Sequence, residues 1–416
     1  MRWITCLLAA LALSASAQAQ ASSDVVIRLP HYGDRMAWFI ADSEWGYISA
    51  FNRALADKAA SCKDAPQDAV ATLRTSPSRF SQADVEVMKA AEACGTVAAG
   101  AADAVTLAQW RAVTGSDGVP SVIDRAKAIV YRRSKFTPDY GHTLWDLDRN
   151  IYQDSIFTWG PLHATLGEGC TLQAFIRTLV AREDLRPAVD FAFGAQTATL
   201  QRVAAAQCTR QSMEAAIRPV YDDPDEKRAF ADGFSLLARD QRVRAAYDAQ
   251  LLGSSGPRRR QMPAYYSLFS HAPKPPTEID FAFIFDHALL TPTSPDRLNL
   301  LAEAAKGRTF TSNADFRRWV NSEYLARSTT ANGKAAQWVA DPVARAMING
   351  RMAAYFIDEV GEQGLTEAER HDWLEHSRLR ASDVGLSDGR AFLPCEWMVS
   401  DADNSSRTCT RILGPP

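Results

Sequence analysis

What this chain lacks narrows its class. After the first 21 residues no stretch approaches the ~18 unbroken apolar residues that a membrane helix needs, so no membrane span is expected. Charge of one sign is missing too. The 46 Lys and Arg against 49 Asp and Glu leave a net charge of −3, and the longest uninterrupted basic run is Arg258-Arg259-Arg260. The basic stripe of a nucleic-acid binder is therefore not there, and no nucleic-acid partner is expected. That basic run follows Gly253-Ser-Ser-Gly-Pro257 and reads as an exposed, protease-sensitive loop. No Cys-x-x-Cys or Cys/His spacing occurs, which argues against thiol-bound zinc. No Gly-x-Ser-x-Gly elbow occurs, which argues against serine hydrolases of the α/β kind. Internal repeats and alternating strand and helix patterns are also missing, so neither a solenoid nor a parallel sheet is expected.

What is present begins with an export signature. Met1 to Ala21 carries one Arg2, an apolar run from Ile4 to Ala15 and small residues in A-x-A order at Ala17 to Ala21, the pattern of a cleavable leader. A secreted or periplasmic protein is expected. Removing the leader removes Cys6 and leaves Cys62, Cys94, Cys170, Cys208, Cys395 and Cys409. An even set in an oxidising compartment suggests disulfides, and the grouping into three neighbouring pairs predicts Cys62 with Cys94, Cys170 with Cys208 and Cys395 with Cys409.

Periodicity predicts a mainly helical, α+β chain. Residues 24–30 read as a short strand, and residues 34–60 as a helix bent near Gly46, which would place Glu44 at the end of its first half. Residues 61–120 are rich in Ala, Asp and Ser, and read as an insertion with short helices beginning near Ser81 and Leu107. Further helices are expected over 122–131, 170–181, 188–206, 225–252, 295–305, 313–325, 341–360 and 366–380. Glu278 to Leu290, EIDFAFIFDHALL, is so apolar that it reads as a buried central helix with Asp286 and His287 as its polar exceptions. The expected division is a leader at 1–21, a main domain at 22–305 and a C-terminal helical extension with a disulfide-closed tail at 306–416.

The stretch Tyr140 to Arg182 concentrates the chemistry. Asp146, Asp148 and Asp154 lie among Trp145, Tyr152 and Trp159, ahead of the Gly/Pro/Thr-rich run TWGPLHATLGEG. Carboxylates between flat rings suit polysaccharide cleavage, because the acids move protons and the rings stack on sugar faces. A surface hairpin with solvated acids and half-buried rings is the plainer reading. Asp146-x-Asp148-x-Asn150-x-x-x-Asp154 opens like a calcium loop, but Ile151 stands in place of the turn glycine and Phe157 in place of the bidentate Glu. His142 and His163 match no zinc spacing, so neither a metal nor another cofactor is expected. His287, inside its apolar helix, reads as a hydrogen-bonded core residue.

The order of these features resembles the family-46 chitosanases of the lysozyme-like superfamily. The resemblance rests on SEWGY at Ser43 to Tyr47, DRNIYQDSIFTWGP at Asp148 to Pro161, LLARDQRVRAAYDAQ at Leu236 to Gln250 and FAFIFDHALL at Phe281 to Leu290. The family's D-G-R-G-Y-T signature stands here as Asp148-Arg-Asn-Ile-Tyr-Gln153, and a long segment separates Glu44 from Asp148. The resemblance implies a two-lobed helical fold with a small β-hairpin region, and hydrolysis of an amino-sugar polymer, either chitosan or peptidoglycan glycan. It implies Glu44 as general acid and Asp148 as base, with Asp146 the competing base. Trp45, Tyr47, Tyr152 and Trp159, with Asp154, would line the sugar subsites. Acid and base ~6.5–9.5 Å apart would invert the anomeric centre, and ~5 Å apart would retain it. The rival expectation is a non-catalytic periplasmic protein that binds cell-wall glycan or a partner protein on the same fold.

Overall fold

The computed structural model describes residues 25–28, 47–75, 82–100, 104–115, 121–131, 140–148, 155–252, 261–290, 295–328, 341–376 and 380–394. They are mainly helical, with a small three-strand antiparallel sheet. The chain divides into two compact units, residues 1–130 with 261–416, and residues 131–260. Among the described residues no helix is long and apolar enough to cross a membrane. Cys62 is bonded to Cys94 and Cys170 to Cys208, as expected, while Cys395 and Cys409 lie outside the described residues.

In the first unit, strand β1 (Val25–Arg28) pairs antiparallel with β2 (Ala104–Thr106). The helix Tyr47–Ala59 buries Phe51, Leu55, Ala56 and Ala59, one face at helical spacing, against Val70, Leu73, Val87, Met88 and Trp110. Phe51 stacks on Trp110 with ring centroids 5.0 Å apart. The expected insertion at 61–120 thus shares one core with the helix before it, and the Cys62–Cys94 bond ties that core's ends together. Helix Leu107–Thr114 starts at a capping box, in which Thr106 accepts from the Gln109 amide and Gln109 accepts from the Thr106 amide.

Helix Glu278–Leu290 is buried from Glu278 to Leu289. With apolar residues on every side it has no solvent face, so each polar member needs a partner. Glu278 takes the Arg390 guanidinium through both oxygens at 2.8 and 2.5 Å. Asp280 takes Arg317 at 2.5 Å and Asn313 at 2.6 Å, and forms a capping box with Thr277. Asp286 takes Arg351 Nε at 2.8 Å and the Tyr355 hydroxyl at 2.6 Å. His287 Nδ1 meets the Tyr265 hydroxyl at 2.8 Å. Arg317 and Asn313 come from helix Asn313–Ser328, Arg351 from helix Pro342–Ala353 and Arg390 from the 380–394 segment, so residues beyond 305 help complete this core.

The 131–260 unit is built on the meander β3 (Thr143–Trp145), β4 (Ser155–Trp159) and β5 (Ala164–Gly167). All of β4 is buried, and Phe157 and Trp159 lie among Phe175, Phe193, Phe230, Phe234 and Tyr247. Gly160 turns the chain at φ 77°, and a Cβ there would sit 2.7 Å from the Tyr247 hydroxyl oxygen, so the turn admits only glycine. The same hydroxyl donates to the Trp159 carbonyl and accepts from the Leu162 amide, each at 3.2 Å. Helix Thr171–Ala181 follows the sheet, and its Gln173 and Arg177 donate to carbonyls at the end of helix Thr197–Ala205.

Three expected helices are divided, 341–360 among them, as Pro342–Ala353 and Ile357–Val360. The segment 188–206 is interrupted at Gly194, where φ is 50°, giving Arg186–Phe193 and Thr197–Ala205. The segment 225–252 is Pro224–Leu237 followed by Gln241–Leu252, because the Asp240 carboxylate accepts from the Arg242 and Val243 amides and starts a new helix there. Apolar spacing carries across such a break, so the periodicity conceals it.

Candidate functional site

The acids of the central stretch sit on a single 3-10 turn, Asp146–Asp148, directly after β3. Asp146 is buried, and one of its oxygens accepts from Ser155 Oγ at 2.5 Å and Thr158 Oγ1 at 2.7 Å. In a regular strand, residues three apart point to opposite faces. The register shift between Ser155 and Phe157 brings both hydroxyls to one side, where the carboxylate holds them. The other oxygen, Oδ1, is buried without a hydrogen bond. Closed off from solvent, Asp146, the expected competing base, clamps the turn to β4.

Asp148, two residues on, faces outward. Its side chain is 45% exposed, and its Oδ1 accepts from Lys227 Nζ at 2.7 Å and from the Tyr221 hydroxyl at 2.8 Å. The Lys227 ammonium also lies 4.2 Å from the Tyr221 ring centroid and 5.7 Å from that of Trp145. Trp145 itself packs on Phe157 at 4.7 Å and on Tyr221 at 5.5 Å. The hydrogen bond to Asp148, and after it burial, raises the Tyr221 hydroxyl above the ordinary tyrosine pKa. Carboxylate, ammonium and the Tyr221 ring thus form one half-exposed cluster over the buried Trp145 at the edge of the sheet.

Tyr221 and Lys227 had no place among the expected site residues. Tyr221 ends helix Arg210–Tyr221, and Lys227 lies in the first turns of helix Pro224–Leu237. The Asp223 side chain accepts from the Asp225 and Glu226 amides, so the second helix starts at once and both residues arrive beside the 146–148 turn. The cap signature Asp223-Pro224 is legible in the sequence; the approach to Asp148, 73 and 79 residues away, is not.

The remaining expected residues separate. Trp159, expected to line a subsite, is wholly buried against Phe175, Phe234 and Tyr247, so it is core and offers no face to a sugar. Its strand is covered on both sides, which places every β4 side chain out of solvent. Glu44, Trp45, Tyr152 and Asp154 lie outside the described residues, and of Tyr47 only the helical backbone is described. His142 and His163 stack with ring centroids 5.7 Å apart, but among the described residues no group of three or more His, Cys, Asp or Glu is placed to hold a metal ion.

No family model, curated protein or solved structure matches this chain. Chemically, the Asp148 cluster can bind a cation or a hydroxyl-rich ligand beside aromatic surface. Activating water at Asp148 Oδ1 would first require displacing both Lys227 and Tyr221, because a general base needs an accessible lone pair.

Proposed function

We propose that this is an exported protein of lysozyme-like, two-lobed build that holds an amino-sugar polymer, chitosan or peptidoglycan glycan, at the Asp148 edge of its small sheet. Support for export comes from the leader-like first residues and the two disulfides. Support for the build comes from the three-strand antiparallel sheet running directly into a helix that buries one face, together with the motifs resembling the family-46 chitosanases.

The observation that carries binding over cutting is the state of the two described acids. Asp146 is closed from solvent by Ser155 and Thr158, and Asp148 Oδ1 is held by Lys227 and Tyr221. A ring-flanked carboxylate in that state suits recognition better than proton abstraction. The second reading is hydrolysis with Glu44 as acid and Asp148 as base. It is favoured by the exposure of Asp148, since a half-exposed ion pair is weak enough for a substrate to open.

Sedimentation of the full chain with insoluble chitosan, chitin and peptidoglycan, together with a reducing-end assay, tests both. Binding predicts retention in the pellet without sugar release. Release that disappears in Glu44→Gln at unchanged melting temperature establishes hydrolysis instead. Failure to sediment with all three polymers, and to release sugar from any, removes both readings.

A further inference from the structure

Resting on the reading that the Asp148 edge takes an amino-sugar, we infer that Lys227 is a tethered stand-in for the ligand's ammonium group, held at the carboxylate, Asp148, that sets a preference for deacetylated over acetylated sugar. The Lys227 ammonium is bound as a free primary ammonium would be. A carboxylate oxygen lies 2.7 Å from Nζ, one aromatic ring is centred 4.2 Å away and another 5.7 Å away. A carboxylate set beside ring faces attracts a cation through both the formal charge and the ring quadrupole. The 2-ammonium of a deacetylated glucosamine unit carries the same group on a ring that can itself lie against an aromatic side chain. An N-acetylated unit presents a neutral amide and gains neither attraction.

Displacement is open to Lys227 because of how it is held. It reaches the site from a helix on a flexible four-carbon stem, its side chain is 24% exposed, and Asp148 is 45% exposed, so the ammonium can swing into water while Asp148 remains solvated. While the lysine occupies the site, the apparent affinity for an ammonium ligand is lowered by the fraction of molecules in the open state. Lys227 therefore competes with cationic sugar and leaves neutral sugar unaffected.

The test is calorimetric titration of the full chain and of Lys227→Met, which keeps the apolar stem over the rings and removes the ammonium. The ligands are a fully deacetylated and a fully acetylated hexasaccharide. The Met variant should bind the deacetylated ligand about tenfold more tightly, the combined strength of one exposed ion pair and one cation–π contact, and the acetylated ligand within about twofold of wild type. Asp148→Asn should lose the deacetylated ligand selectively. If Lys227→Met does not fold, Lys227→Gln serves the same comparison. Wild-type binding with no gain in the variant overturns the inference while the glycan reading stands. An equal gain for both sugars also overturns it, because a merely steric plug would act on both. If neither protein binds either sugar, the glycan reading fails and takes this inference with it.

Discussion

The buried helix Glu278–Leu290 of one unit and strand β4 of the other are both enclosed, yet the acids beside them find their partners in different ways. Along the helix, Glu278, Asp280 and Asp286 each meet an arginine, Arg390, Arg317 and Arg351, drawn from 112, 37 and 65 residues away. In the sheet, Asp146 meets two hydroxyls, Ser155 and Thr158, only 9 and 12 residues away. An arginine reaching a buried carboxylate fixes which distant segments must come together, and removing it strands a charge. A hydroxyl pair fixes a local turn, and removing one hydroxyl leaves the acid one neutral donor short. Burial pushes the Arg317 guanidinium down, but Asp280 and then Asp388 outweigh it and hold it above its ordinary pKa. At Arg125, by contrast, burial outweighs the nearby Glu278 and the pKa falls. The buried acids of helix Glu278–Leu290 are therefore held by long-range ion pairs, and the buried acid beside β4 by a short-range hydroxyl clamp.

The sharpest way to break this comparison is Arg317→Met. Asp280 would be left buried opposite an apolar side chain, and urea denaturation should report a loss of about 3–5 kcal/mol. Arg317→Met with Asp280→Leu should recover much of that loss; a single variant as stable as wild type would end the ion-pair account. Close helix approaches come next. At Gly350 a Cβ would lie 2.5 Å from the Asp372 carbonyl carbon, and at Gly233 it would lie 2.7 Å from a Phe193 ring carbon. Alanine at either should cost about 1–3 kcal/mol in thermal unfolding, more at Gly350, because backbone cannot step aside as a ring can.

A smaller effect separates the units by pH. Burial lowers the His287 pKa from 6.5 to about 3. Above pH 6.5 neither the folded nor the unfolded state carries this proton, and the contribution of the neutral ring is complete. As pH falls from 6.5 toward 3 the unfolded chain takes up a proton that the folded chain does not. Stability should therefore fall by up to about 1.4 kcal/mol per pH unit from this group. Denaturation between pH 6.5 and 5, above most carboxylate titration, should show the slope in wild type and lose it in His287→Gln. The smallest expected change is Asp148→Asn. Its exposed pair should contribute under about 0.5 kcal/mol, while ultraviolet titration should show the Tyr221 hydroxyl returning toward its ordinary pKa. A large stability loss here would mean that the site is a structural clamp like Asp146.

How far the sequence reads through to this structure can be traced in particular residues. The helical pattern, the hairpin region, the buried run EIDFAFIFDHALL and the bonds Cys62–Cys94 and Cys170–Cys208 are all legible. His287 as a hydrogen-bonded core residue is legible too, because a lone imidazole on an apolar helix needs one partner and Tyr265 supplies it. Trp159 was misleading, since an aromatic in a Gly/Pro-rich stretch reads the same whether its strand is covered on one face or both. Asp146 and Asp148 have the same side chain and one residue between them, and nothing local marks one as buried and the other as exposed. That difference comes from the register shift in β4 and from the arrival of two later helices.

By itself, then, the order of residues determined where helices form, which helix is enclosed and which nearby cysteines join, because spacing and proximity along the chain act over a few residues to a few tens. Tertiary structure alone decided which acid is clamped and which faces solvent, and which arginine completes each buried carboxylate. Those outcomes depend on segments far apart in the chain, and composition carries no record of where such segments meet.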